Sequence, residues 1–346
     1  MKLGRKGVLI GAAAAIAVLF GAAVLLHSPA LQDQMRHFHG GPGSPSGGPG
    51  ASLIGGSGGN PAANAQALEG VAAIGRRWDE AAFAETVALY TAVHRGVEWP
   101  GVLAPETIRY GTDAKQTFDL YRPEQGFSEP GPVFLFLHGN GLGNSDRFAP
   151  GSDGLIYGHL GKLAATAGGI GVSMNFRNSG HRTGDGASAT LRSGAEDLRL
   201  VIKWIVEHIS PYGGDPGTIV LIANSEGATT AAAYLFNEAL QMPSDPGVAA
   251  AILSSGRFGA LTPEIAELVD DYAGARVPLA LWSGEFDTPE ITNGIAALHE
   301  QLCRKYDDCP TLEQLSGHNH VSHVMSLGTA DTSAMNSLIR FYHTLR

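Results

Sequence analysis

The chain has 346 residues, 44% hydrophobic and 16% charged, with a formal net charge of −10. That length and apolar content suffice to bury one full-sized core. The acidic balance argues against a nucleic-acid partner, because binding one takes clustered Lys and Arg to displace counterions.

At the N-terminus, Lys2, Arg5 and Lys6 precede nineteen residues, Val8 to Leu26, that carry no charged or strongly polar side chain. A basic flank followed by such a run is a membrane-targeting segment. The run is close to the length that spans a bilayer, yet Ser28-Pro29-Ala30 supplies small residues for cleavage. Residues 1–30 therefore fit a removed signal peptide and equally an anchor that stays in the membrane through residues 8–26. In both cases the remainder is expected on the exported side, in the periplasm or outside the cell. Residues 31–66 are expected to be a flexible linker. Within them and just before the first helix, residues 40–61 hold 18 Gly, Pro or Ser out of 22, too few side chains to offset the entropy of ordering.

Residues 67–104 are expected to form an N-terminal helical extension. Leu68, Val71, Ile74, Trp78, Phe83, Val87 and Tyr90 recur at spacings of three to five, the pattern of a helical apolar face. From residue 105 to 346 strands and helices alternate. The runs IRY and FDLY, joined by Gly111, Thr112 and Asp113, predict an antiparallel pair. VFLFL, IGVSMNF, IVLIA, AAILSS and VPLALW are short, wholly apolar strands. The clearest helix is SGAEDLRLVIKWIVEHI, with Ser193 and Glu196 as a capping box. TSAMNSLIRFYHTLR reads as a closing helix with Met335, Leu338, Ile339 and Tyr342 inward. The alternation implies a mostly parallel sheet covered by helices on both faces. Cys303 and Cys309, the only cysteines, sit six positions apart and could close a small disulfide loop or remain thiols.

Parallel sheets bind ligands beyond the carboxyl ends of their strands. Four such ends carry chemistry: His138-Gly139-Asn140-Gly141 after VFLFL, Asn224-Ser225-Glu226-Gly227 after IVLIA, SGEFDTPE after VPLALW, and SGHNHVSH after TLEQL. Together they offer an amide-rich loop, a hydroxyl, a carboxylate and an imidazole. A serine hydroxyl needs a base to take its proton as it attacks; histidine suits that role, and a carboxylate fixes its tautomer.

These residues resemble the α/β-hydrolases of the carboxylesterase or hormone-sensitive-lipase-like serine esterase group. IRYGTDAKQTFDLYRP, the HGNG loop, YGGDPGTIVLIANSEGA, SGEFDTPE and GHNHVSH match in order. The resemblance implies an α/β-hydrolase fold over residues 105–346, with Ser225 as nucleophile, Asp287 as acid and His320 as base, in the chain order of that fold. It implies an oxyanion hole from the amides of Gly139, Asn140 and Glu226, a structural His138, and an ion-paired Arg177 after IGVSMNF. No metal or organic cofactor is required. Ala223 stands where the family has the first elbow glycine, and Asn140 where it has a loop glycine. Asn140 is left free to contact substrate by this reading. Glu285 rivals Asp287, and His318 rivals His320. The spacing His318, His320, His323 also fits a metal site, though no acidic or cysteine ligand adjoins it.

The implied activity is hydrolysis of a small-molecule or polymer-borne carboxylic ester through an acyl-enzyme; Ser254 to Arg276 is too short for a large lid. Two other classes stay open: a catalytically silent hydrolase fold serving as an envelope scaffold, and a peptidase or amidase of the same fold.

Overall fold

The computed structural model describes residues 59–140, 146–184, 186–241 and 247–344. The targeting segment, most of the linker and residues 141–145 of the glycine loop lie outside these. Among the described residues no helix is long and apolar enough to cross a membrane.

The apolar runs form an eight-stranded sheet. In chain order the strands are β1 (Glu106–Arg109), β2 (Thr117–Tyr121), β3 (Gly131–Leu137), β4 (Ile170–Met174), β5 (Gly214–Asn224), β6 (Ala250–Ser254), β7 (Leu279–Gly284) and β8 (Thr311–Leu315). Their spatial order is β1-β2-β4-β3-β5-β6-β7-β8. The first two are antiparallel, as the IRY and FDLY runs predict, and β4 through β8 are parallel. β5 sits mid-sheet, buried on both sides, which explains its unbroken apolar sequence.

Alternate residues of each strand serve opposite cores. On one face Leu135, Leu221, Ala223 and Leu253 pack with helices α4 (Leu191–His208), α5 (Glu226–Leu235), α6 (Pro263–Asp271) and α7 (Pro289–Lys305). On the other, Phe136, Ile222, Ile252 and Trp282 pack with α1 (Pro61–Ile74), α2 (Glu80–His94), α3 (Gly158–Thr166), the one-turn α8 (Ser322–Met325) and α9 (Ser333–Thr344). The N-terminal extension is thus a helical hairpin, α1–α2, built into the second core.

Several local expectations are corrected. α1 begins at Pro61 rather than at 67, because Asn60 caps it and Pro61 stands at the tolerated first helical position. In α4 the capping box is Thr190 with Ser193, not Ser193 with Glu196; Glu196 instead pairs with Arg192 one turn away. Phe341 is the buried aromatic of α9, while Tyr342 is half-buried. Cys303 and Cys309 form a disulfide.

Candidate active site

β5 ends at Asn224 and α5 starts at Glu226, so Ser225 alone makes the corner. It does so at φ 56° and ψ −123°, a conformation that costs a non-glycine residue energy and that clusters at functional sites. Bonds on both sides hold it: the Ser225 amide donates to Ser254 O at 2.8 Å, and its carbonyl accepts from Ala228 N at 3.0 Å. The serine side chain makes no cap bond to the helix; its hydroxyl is free to face the strand ends.

The tightness of the corner explains its glycines. A Cβ at Gly227 would lie 2.5 Å from His138 O and 2.6 Å from Leu137 O, both backbone atoms that cannot step aside. At Gly139 a Cβ would fall 2.8 Å from Ser225 Cβ, so the loop backbone runs directly against the serine. Ala223, by contrast, packs fully buried in the first core.

Three side chains meet here. Ser225 Oγ lies 2.8 Å from His320 Nε2, and His320 Nδ1 lies 2.6 Å from Asp287 Oδ1. Asp287 is fully buried. Its second oxygen accepts from Ser255 Oγ at 2.6 Å and from the Gly284 amide at 2.8 Å. Burial alone would push this carboxyl up, but the neighbouring His320 and the hydrogen bonds outweigh it and hold it below the usual aspartate range. The geometry keeps the carboxylate ionised and leaves Nε2 facing the hydroxyl.

The rivals have other partners. Glu285 accepts from Ser316 Oγ at 2.7 Å and Gly317 N at 2.8 Å, fixing the turn after β8. His318 binds Ser333 Oγ at 2.8 Å, Asp331 at 3.1 Å and Ser322 Oγ at 3.0 Å. His323 donates to Asn319 O at 2.9 Å and receives the Ser254 hydroxyl; burial pushes it down to about 4. The three histidines therefore serve three separate networks.

The amides of Gly139, Asn140 and Glu226 find no acceptor among the described residues. His138 Nδ1 lies 2.6 Å from Gly139 O, bracing that loop from below, and burial pushes the ring down to about 4. Asn140 has no positive φ, so the departure from glycine brings no left-handed strain. Its side chain is committed rather than free: Nδ2 donates to Ser179 O and Oγ, each at 2.8 Å. Ser179 in turn donates from its amide and hydroxyl to the Glu226 carboxylate, at 2.6 and 2.8 Å. This ties the glycine loop to the first residue of α5 through the loop after β4. Arg177 is ion-paired, with Nη2 2.7 Å from the buried Asp197.

Ser255 was not singled out in the sequence. Its signals are a Ser-Ser-Gly end to β6 and, in the structure, a positive φ of 48° that aims its hydroxyl at Asp287. Trp78 and Arg76, from the turn between α1 and α2, also reach the site: the indole lies 4.2 Å from the His320 ring, and the guanidinium donates to Asp287 O.

Residues 117–264 match the Carboxylesterase family, a stretch that includes Ser225 and stops short of Asp287 and His320. A chlorogenic acid esterase of Aspergillus niger is 33% identical over 135 residues, 38% of this chain and 24% of that protein. Esterase P of Drosophila melanogaster is 30% identical over 148 residues, 41% of this chain and 25% of that one. The chain thus spans about a quarter of the length of these curated relatives. Among solved structures, esterase B of Lactobacillus rhamnosis superposes with a TM-score of 0.58 at 17% identity, covering 81% of this chain and 95% of that one. The chain has the α/β-hydrolase fold of these esterases, and its residues 117–264 carry the likeness to the Carboxylesterase family.

Proposed function

We propose that this protein is a serine hydrolase that cleaves carboxylic esters through an acyl-enzyme. Ser225 Oγ attacks the ester carbonyl while His320 Nε2 takes its proton. Asp287 holds the opposite ring nitrogen and stabilises the imidazolium. The carbonyl oxygen becomes an oxyanion facing the amides of Gly139, Asn140 and Glu226; one such donor is typically worth about 3 to 4 kcal/mol in the transition state. His320 returns the proton to the departing alcohol, leaving Ser225 acylated. Water, deprotonated by His320, then attacks the acyl carbon and frees the acid and the serine.

The observation that carries this reading is the unbroken hydrogen-bonded relay from a strained serine through an imidazole to a buried carboxylate. The esterase names of the matched relatives support the ester as the bond cleaved. The substrate is proposed to be a small-molecule or polymer-borne ester met on the exported side of the membrane, where the sequence of residues 1–30 would deliver the chain.

Comparing p-nitrophenyl acetate with the matching p-nitroanilide in wild type and Ser225→Ala tests the assignment. Ester turnover well above anilide turnover is expected, with a fall of at least about 10⁴-fold in the variant. Equal turnover in wild type and variant would refute it.

A further inference from the structure

Trp78 occupies a position that helix capping alone would explain. Asp79 is the N-cap of α2, its carboxylate accepting from Ala82 N at 2.8 Å. Trp78 just before the cap packs edge-to-face on Phe83, with ring centroids 6.1 Å apart. That is a hydrophobic staple, which sets the angle at which the chain enters a helix.

The staple also aims the indole at the site, 4.2 Å from the His320 ring with the planes tilted by 50°. Around it the same hairpin grips the loops that carry the base and the acid. Arg76 donates to the Asp287 carbonyl. The side-chain amide of Asn319, next to His320, donates to Thr86 Oγ1 at 2.9 Å. His94 Nε2 lies 2.7 Å from Met325 O at the end of α8. The His320 ring is thus walled on one side by a residue far away in the chain.

An aromatic face attracts a cation, more strongly where water is excluded. In the proposed reaction His320 becomes an imidazolium as it takes the serine proton. On the hydrolytic reading above, on which this rests, we infer that Trp78 is a positioning residue of the reaction: it fixes the plane of the imidazole and favours its protonated form. The N-terminal hairpin is therefore part of the active site and not only a brace for the fold.

The test measures kcat and KM for p-nitrophenyl acetate in the full chain carrying Trp78→Phe, Trp78→Leu or Trp78→Ala, with thermal unfolding of each and phosphonate labelling of wild type. Leu keeps apolar bulk in the staple and lacks the aromatic face, so the Phe and Leu variants decide the matter even if Ala unfolds. Trp78→Leu is expected to lower kcat about tenfold with KM changed less than about twofold, and Trp78→Phe to restore most of the loss. Equal kcat in the Phe and Leu variants, or a kcat unmoved in both, would overturn the inference while leaving an active wild type as a hydrolase. A wild type that neither turns over nor takes the label would overturn the hydrolytic reading itself, and this one with it.

Discussion

The corner at Ser225 and the N-terminal hairpin position the same three side chains by different means. At the corner the turn itself is local: strand β5, the strained Ser225 and the first turn of α5 follow one another without a gap, Gly227 lets them approach the β3 strand end, and the Ser254 carbonyl holds the Ser225 amide from the neighbouring strand. His320 and Asp287 stand on separate loops, each with bonds of its own, such as Gly284 N to Asp287 and Ser322 N to Asn319 Oδ1. Their backbone and rings are pinned by Arg76, Trp78, Thr86 and His94 from the other end of the chain. The difference teaches that the serine is set chiefly by the strand-to-helix corner it forms, whereas its partners lean in addition on packing from a distant part of the chain.

The largest expected break on the corner side is Gly227→Ala. Its Cβ would meet two backbone carbonyls inside contact distance, so β3 and α5 must separate. Overpacking of this kind costs about 1–3 kcal/mol, and displacing the serine by about 1 Å is expected to lower kcat/KM about 100-fold. Restoring glycine in Ala223→Gly, at the first corner position, is expected to change kcat/KM by less than about threefold, since the serine does not lean on that methyl. Steady-state kinetics with thermal melts distinguish the two; equal losses would mean the corner is not governed by this contact.

A pH effect on stability tests the packing on the hairpin side. His94 and His159 stack at 4.2 Å in the second core, between α2 and α3 and against the carbonyls at the end of α8. Burial pushes His94 down to about 4 and His159 well below its ordinary value. His138 and His323, beneath the corner, are likewise pushed to about 4 by burial. Each is neutral when folded and takes up a proton on unfolding once the pH drops below about 6.5. The contribution of each is full above that pH and is lost as pH falls; for His94, His138 and His323 the loss by about pH 4 is on the order of 3 kcal/mol per group. The melting temperature is expected to be flat from pH 7 to 8 and to fall steadily from 6.5 to 4.5. A melting temperature unchanged down to pH 4.5 would show that these rings are not buried neutral.

This contrast also explains what the sequence made legible. Buried parallel strands are written as apolar runs, so the sheet could be read from VFLFL, IVLIA and VPLALW, and the strand ends pointed to Ser225, Asp287 and His320 as residues to bring together. Cap choice was less legible: Thr190 competes with Ser193 for the start of α4, and only the geometry of the preceding loop selects Thr190. Asn140 reads as a free polar side chain until Ser179, 39 positions later, claims it. Ser255 and Trp78 carry little local signature of a role, because a strand-end bend and a helix staple explain them until the partner loops are in place.

The central claim is that Ser225, His320 and Asp287 act as one relay. Treating the folded protein with a serine-reactive fluorophosphonate and locating the adduct by mass spectrometry tests it most directly. The account predicts a single phosphonylated residue, Ser225, with labelling abolished in Ser225→Ala and strongly slowed in His320→Ala and Asp287→Asn. Labelling that is absent from wild type, or that proceeds at the wild-type rate without His320, would contradict it.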